Sequence, residues 1–137
     1  FFLGMCDEQA LFARLKGKGL VIFTGCGHPT IELIVKQIRC LSDEPIHIIG
    51  GGLHYPVTGG RGGRAGLDFQ TFMGTGKPFW QKITDEELGS TINAINSFNP
   101  SKVFPSAHDT CDQSLARMDK ELKAETEVLR AGKTYRF

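Results

Sequence analysis

The 137-residue chain has no excess of charge of either sign and no long apolar run. Sixteen Lys and Arg residues stand against fifteen Asp and Glu residues, so the formal charge at pH 7 is +1. That balance argues against a dedicated nucleic-acid binder, which carries a basic excess or stripe. The longest apolar stretches, such as residues 20–23, are far too short to cross a bilayer. We therefore expect neither a nucleic-acid partner nor a membrane partner.

Cysteine is scarce, and its spacing excludes a disulfide framework. The four cysteines, Cys6, Cys26, Cys40 and Cys111, form no CxxC pair. This usage predicts reduced thiols in a cytoplasmic protein, one of which could ligate a metal. Cys40 falls at the end of a predicted helix and is expected to be a small buried apolar residue.

Several catalytic motifs are also missing. The chain has no GxSxG, no HExxH and no GxGxxG after a strand. The segment from Gly74 to Pro78 resembles a phosphate-binding loop only faintly, because the spacing is wrong and Pro78 replaces the required hydroxyl residue.

Glycine, in contrast, is abundant and unevenly spread. Ten of the 17 glycines fall between Gly50 and Gly76, and we interpret residues 50–83 as a Gly-rich insertion loop. Within it, Arg61 and Arg64 alternate with glycines and could bind an anionic substrate through guanidinium and backbone N–H groups. A surface excursion without a ligand explains the same pattern equally well.

The hydrophobic pattern predicts an α/β chain with the order β-β-α-β-loop-α-β-α-β-β. Predicted strands cover Gln9–Leu15, Gly19–Thr24, Ile46–Ile49 and Lys102–Pro105, and a terminal hairpin covers Glu127–Leu129 and Lys133–Phe137. The first two strands form a hairpin turned at Gly17. Because the strands are continuously apolar, both faces of the sheet should be covered, yet the chain supplies few candidates for the second cover.

Three helices are predicted from their start signals and apolar stripes. The first opens at Pro29, and its stripe runs through Ile31, Ile34, Val35, Ile38 and Leu41. The second begins at Thr84, which forms a capping box with Glu87, and ends at Asn99. A second capping box, Thr110 with Gln113, starts the third helix.

Three of the four histidines come directly after predicted strands. His28, His54 and His108 each follow a strand end, and sites in α/β sheets gather beyond the carboxyl ends of strands. Cys26 could add a thiolate, and Asp109 could ligate or orient a ligand. Each histidine alone could equally be structural. His47 lies within a strand and is expected to be a packed or surface residue.

Three strings, each following a strand, carry a family resemblance. They are Thr24-Gly25-Cys26-Gly27-His28, Gly51-Gly52-Leu53-His54 and Pro105-Ser106-Ala107-His108-Asp109-Thr110-Cys111. In this order the sequence resembles metallo-β-lactamase-fold hydrolases, most closely the branch named for a dihydropterin–ribofuranosylaminobenzene phosphate synthase. The match covers nearly the whole chain.

The resemblance implies an αββα sandwich with one or two divalent metal ions, Zn, Fe or Mn. A metal-bound hydroxide would attack an ester, phosphoester or amide of a small-molecule substrate. It implies that His28 and His108 ligate metal, that Cys26 stands where relatives have a bridging Asp, and that His54 contacts substrate or assists proton transfer. We expect Arg61, Arg64 and Asp109 to contribute to substrate binding.

The superfamily's main metal motif, His-x-His-x-Asp-His, has no counterpart in this chain. We therefore interpret residues 1–137 as a single partial domain, the C-terminal half of the sandwich. It should need the missing N-terminal half as a partner, bind metal poorly alone, and be inactive. An exposed half-sandwich could also form a homo-oligomer.

Two other functions remain open from the sequence. The chain could be a non-catalytic module that binds an anionic ligand through the Gly/Arg loop. It could also be a small stand-alone zinc-binding domain with Cys26, His28 and His108 as ligands.

Overall fold

The computed structural model describes residues 8–59, 69–71, 77–78 and 80–136. These residues form one mixed α/β layer structure, as the hydrophobic pattern predicts. Its strands are β1 (Ala10–Leu15), β2 (Gly19–Thr24), β3 (Ile46–Gly51), β4 (Lys102–Pro105) and β5 (Glu125–Thr126). Its α-helices are α1 (Ile31–Arg39), α2 (Asp85–Phe98) and α3 (Asp112–Glu121). A short 3₁₀ turn covers Phe69–Thr71.

The five strands lie in chain order, β1-β2-β3-β4-β5. β1 and β2 form the predicted antiparallel hairpin, and Gly17 supplies the left-handed turn with φ 75°. From β2 onward every pairing is parallel. Each parallel step needs a crossover, which α1, α2 and α3 provide in turn. Repeated crossovers of one hand put all three helices on the same face of the sheet.

The main core lies between that face and the helices. The sheet contributes residues such as Ile22 and Ile49, and the helices contribute residues such as Val35, Ile92 and Met118, all buried. The stripe predicted for α1 is confirmed except at its end. Leu41 lies beyond the helix and is 75% exposed.

The start of α2 follows its sequence signal. The Thr84 hydroxyl accepts a hydrogen bond from the backbone N–H of Glu87, and the Glu87 carboxylate accepts one from the N–H of Thr84. Asn99 ends the helix in the left-handed conformation. The capping box predicted for α3 is wrong, since no side chain caps this helix. Cys111, not Thr110, is the N-cap, because the Thr110 hydroxyl is engaged with Tyr55 N–H and the Asp109 carboxylate.

Two further expectations are corrected. No terminal hairpin exists among residues 124–136. Instead β5 extends the sheet in parallel beside β4, and Leu129 bridges to Ser106 in the same direction. Cys40 is exposed, since it is the C-cap of α1, and its thiol is directed to the carbonyl of Lys36.

The opposite face of the sheet carries a smaller apolar cluster of Val21, Ile48 and Phe104. Residues from the C-terminal segment cover part of it, and the Tyr135 ring meets the Phe104 ring edge-on with centroids 5.2 Å apart. Within the described residues no helix packs on this face, and Phe23 is 37% exposed there. The described residues also include no helix with the length and apolar composition needed to span a membrane.

Candidate functional site

The candidate site lies at one edge of the sheet, beyond the carboxyl ends of β2, β3 and β4. Because these three strands are parallel, the segments that follow them leave the sheet on the same side. Those segments contain Cys26 and His28, His54, and His108 with Asp109. The topology therefore brings together the residues that sequence reasoning selected at three separate strand ends.

The segment after β2 is held by a carboxylate that sequence reasoning did not select. Glu8 Oε1 accepts a hydrogen bond from the backbone N–H of Gly25 at 3.0 Å. Its Oε2 accepts from the N–H groups of Gly27 at 2.8 Å and His28 at 3.1 Å. Three backbone donors within four residues converge on one anion and form the kind of concave backbone turn that binds anions. Glu8 thus fixes the path of the backbone that carries Cys26 and His28.

The segments after β2 and β3 pack backbone against backbone. Gly52 N–H donates to the Gly25 carbonyl at 2.9 Å, and the Thr24 hydroxyl donates to the Gly52 carbonyl at 2.6 Å. A Cβ on Gly52 would lie 2.5 Å from Asp109 Oδ2 and 2.7 Å from Cys26 Cα. Such distances leave no room for a side chain. Glycine at position 52 is therefore what allows the three strand-end segments to approach each other.

His54, two residues after Gly52, has a backbone conformation that residues other than glycine seldom adopt. Its φ is 52°, in the left-handed region, and the residue is buried. Strained backbone of this kind is concentrated at functional sites. The ring of His54 lies against that of His28, with centroids 4.3 Å apart and planes tilted by 59°. Two of the three strand-end histidines are thus in direct contact.

Asp109 is the most deeply buried acidic group at the site, with 2% of its surface exposed. Its Oδ1 accepts a hydrogen bond from the Thr110 hydroxyl, while Oδ2 is buried and has no hydrogen-bond partner among the described residues. Burial raises the pKa of Asp109 to about 6, although nearby His108 and His28 act in the opposite direction. A carboxylate oxygen with no donor is costly unless a cation or donor meets it.

The remaining two candidates sit at the rim. Burial, followed by the charges of Asp109 and Glu8, raises the pKa of the half-buried Cys26 thiol. A cation would be needed to favour its thiolate. The His108 side chain is exposed, and the hydrogen bonds to Ser106 and Gln70 are made by its backbone. The backbone N–H donates to Ser106 Oγ, and the carbonyl accepts from Gln70 Nε2 at 2.9 Å.

Other predicted residues lie elsewhere or outside the described part. Arg61, Arg64 and Cys6 fall outside the described residues. His47 lies on β3, where its Nδ1 is 2.9 Å from Ser101 Oγ, so it takes no part in the site. Across residues 8–59, 69–71, 77–78 and 80–136, no three His, Cys, Asp or Glu side chains form a group that could hold a metal ion. A zinc site of Cys26, His28 and His108 is not assembled there.

A signal for Glu8 was available in the hairpin register. β1 pairs with β2 so that Ala10 faces Thr24. Extending this antiparallel register by two residues sets Glu8 opposite Cys26, at the start of the site. No such local signal marks the hydrogen-bonded group of Tyr55, Thr91 and Glu32 beside His54, because its members come from three separate elements.

Comparison with known proteins supports the fold. No protein-family model matches the chain, and no curated protein does. Among solved structures, the chain is similar to one described as a metal-dependent hydrolase of the β-lactamase superfamily, with 25% sequence identity and a TM-score of 0.66. The similarity covers 91% of this chain and 38% of that one. The chain therefore spans well under half the length of the hydrolase that it resembles.

Proposed function

We propose that this chain forms the C-terminal half of a metal-dependent hydrolase with the metallo-β-lactamase fold. The observation that carries the proposal is the convergence of His28, His54 and Asp109 at the ends of β2, β3 and β4. A buried carboxylate oxygen without a hydrogen-bond partner stands at this point, and the similar solved structure is a metal-dependent hydrolase. The exact strings around these residues favour the dihydropterin–ribofuranosylaminobenzene phosphate synthase branch.

The donor types at the site suit a divalent metal ion. Imidazole, thiolate and carboxylate are the ligands that Zn²⁺, Fe²⁺ and Mn²⁺ take in proteins. The buried Asp109 Oδ2 fits a cation better than it fits a neutral site. Because no three donors form a metal-binding group within the described part of the chain, we propose that further ligands come from the missing N-terminal half.

The proposal assigns roles to the residues at the strand ends. In the protein joined to its N-terminal half, His28 and His108 would ligate the metal, with Cys26 or Asp109 as the anionic donor; in this chain alone these side chains do not form a metal-binding group. When bound, the metal acts as a Lewis acid and lowers the pKa of water, so that hydrolysis of an ester, phosphoester or amide proceeds at neutral pH. His54, held in contact with His28, binds substrate or moves a proton. Glu8 keeps the His28 backbone in position.

The two faces of the sheet support the assignment to one half of a sandwich. Three helices cover one face, whereas on the other Phe23 and the β1 residue Leu11 remain exposed, Leu11 to 66%. A second sheet packed there would bury both side chains. The 38% coverage of the similar hydrolase leaves ample chain for such a layer.

The test is a hydrolysis assay of the protein joined to its encoded upstream sequence. A His-x-His-x-Asp-His string should be present upstream, and the joined protein should hydrolyse p-nitrophenyl acetate or bis(p-nitrophenyl) phosphate only with a divalent metal. His28→Ala should lower kcat/KM by at least about 100-fold. The control, His47→Ala, lies outside the site and should retain activity. Activity that survives chelation, or that His28→Ala leaves unchanged, would refute the proposal.

A further inference from the structure

A small cavity of about 190 Å³ opens beside the two touching histidines. It runs from Gly27 and His28 toward the first turns of α1 and α2, and its wall includes Tyr55, Glu32 and Thr91. The volume corresponds to roughly six water molecules, so it holds a head group rather than a whole drug-sized ligand. Apart from His28 and His54, no residue that lines this cavity has a role in the hydrolase proposal.

The far wall of the cavity carries a hydrogen-bonded chain with a defined direction. The hydroxyl groups of Tyr55 and Thr91 are in contact, and the Thr91 hydroxyl donates to Glu32 Oε1. Because a threonine hydroxyl has one proton, Tyr55 must be the donor to Thr91. Burial raises the pKa of Tyr55 to about 12, so the phenol keeps its proton at neutral pH. The chain therefore ends on the Glu32 carboxylate.

The two carboxylates that line the cavity, Glu87 and Glu32, differ in how many hydrogen-bond and ion-pair partners they have. Glu87 accepts from the N–H and hydroxyl of Thr84 and pairs with the Lys77 ammonium. Among the described residues, Glu32 accepts a hydrogen bond from Thr91 at Oε1, while its Oε2 is buried and has no partner there. The lining includes two carboxylates and one ammonium group, so carboxylates outnumber ammonium groups there.

We propose that this cavity, defined by Glu32, Tyr55 and Thr91, binds a positively charged nitrogen group of the substrate, an ammonium or an amidinium. Glu32 Oε2 is the acceptor that such a group needs, and a charge-assisted hydrogen bond satisfies both partners. An anionic group is disfavoured by the same carboxylate, and an apolar group would leave Oε2 without a partner.

The position of the cavity would let Glu32 select substrates that carry a positively charged nitrogen group. His28 and His54 form its near wall, so a ligand anchored on Glu32 extends toward the strand ends where hydrolysis would take place. That the bound molecule is a substrate rests on the proposed function. The binding of a cationic group does not rest on it, because the cavity is built from this chain alone.

The experiment is a titration of the metal-free chain, kept in chelator, with ethylammonium, followed by amide shifts in ¹H–¹⁵N spectra. Ethylammonium should shift the amides of Glu32, Tyr55 and Thr91, while ethanol and acetate at equal concentration should not. In Glu32→Gln the amide nitrogen can occupy the position of Oε2 while Thr91 keeps its acceptor, and we expect binding at least about 10-fold weaker. The matched control, Glu86→Gln on the exposed side of α2, should bind as the unaltered chain does.

Equal affinity of Glu32→Gln and the unaltered chain would overturn the proposal, and so would stronger shifts with acetate than with ethylammonium. If Glu32→Gln does not fold, the comparison of the three probes on the unaltered chain still decides. Because no metal is present, failure here leaves the hydrolase proposal standing. Conversely, loss of metal-dependent hydrolysis would not alter the result for ethylammonium.

Discussion

The two faces of the sheet differ in how completely the chain covers them. On the helix-covered face, Ile22 is fully buried within a core to which all three helices contribute. On the opposite face, the neighbouring residue Phe23 is 37% exposed. The buried cluster there has three residues, and Leu15, Leu129 and Tyr135 pack against it. Adjacent residues of one strand thus lie in a closed core on one face and under partial cover on the other.

This difference separates what the chain does for itself from what a partner layer would add. The helix-covered core holds the strands in place, and the strand ends in turn position the site. The opposite face buries fewer apolar residues, so we expect it to add less to the stability of this chain. The predictions that follow test this division, beginning with the largest expected effect.

Ile22→Ala should destabilise the chain by about 2–5 kcal/mol, because it removes a fully buried side chain and leaves a cavity. Phe23→Ala, one residue along the same strand, should cost less than about 1.5 kcal/mol, since much of the ring already faces solvent. Urea unfolding of both variants measures the comparison. Equal losses would mean that the two faces contribute alike to the stability of this chain, which would contradict the division.

Gly52→Ala tests the contact between the strand-end segments. The added methyl group would meet Gly25 O, Asp109 Oδ2 and Cys26 Cα, so we expect a loss of about 1–3 kcal/mol in the free energy of unfolding. Gly132→Ala is the control for altering a glycine: its φ is 79° but nothing lies within 4 Å of the added Cβ. It should lose only about 1 kcal/mol, from backbone strain. The NMR chemical shifts of the His28 and His54 side chains should change in Gly52→Ala but not in Gly132→Ala.

Glu8→Gln tests the carboxylate that holds the segment after β2. An amide has only one acceptor oxygen, so at least one of the three backbone N–H groups loses its partner. We expect a loss of about 1–2 kcal/mol and faster hydrogen exchange at Gly25, Gly27 and His28. Glu44→Gln, which alters an exposed pair with Arg14, should leave those exchange rates unchanged. Unaltered exchange in Glu8→Gln would remove the positioning role of Glu8.

Glu87→Gln should have the smallest effect, at most about 1 kcal/mol, because the Glu87–Lys77 pair is partly exposed. Although burial alone would raise the pKa of Glu87, hydrogen bonds from Lys77 and Thr84 outweigh it and lower this pKa. A lowered pKa contributes stability above the unfolded-state value, and this stability is lost as pH falls through the folded-state value. The difference between Glu87→Gln and the unaltered chain should therefore disappear in acid, as measured by urea unfolding across pH. Glutamine still suits a capping box, so α2 should persist.

Sequence reasoning succeeded where the determining signals are local. Gly17 in the first turn and the Thr84–Glu87 capping box predict the hairpin and α2, and strand ends predict that His28 and His54 meet. The terminal hairpin is wrong because β5 pairs with β4, which lies more than twenty residues away. The turn at Gly132 does form, with the Lys133 N–H donating to the Arg130 carbonyl, but the described residues on its two sides do not pair as strands.

The candidate site is less predictable because its support comes from non-local contacts. Glu8 acts across the hairpin, and Thr91 reaches Glu32 between two helices. The Thr110 hydroxyl is engaged at the site, which displaces the N-cap of α3 to Cys111. These pairings depend on register and on helix packing, which the spacing of residues along the chain does not encode directly.

Zinc binding by the isolated chain at neutral pH tests the central claim, that the chain carries only part of a metal centre. Equilibrium dialysis followed by metal analysis gives the stoichiometry, with His28→Ala as the site variant and His47→Ala as its control. We predict less than one tightly bound zinc per chain, and stoichiometric binding that depends on His28 once the N-terminal half is joined. One tightly bound zinc per isolated chain would contradict the account, because the chain would then hold a complete metal site by itself.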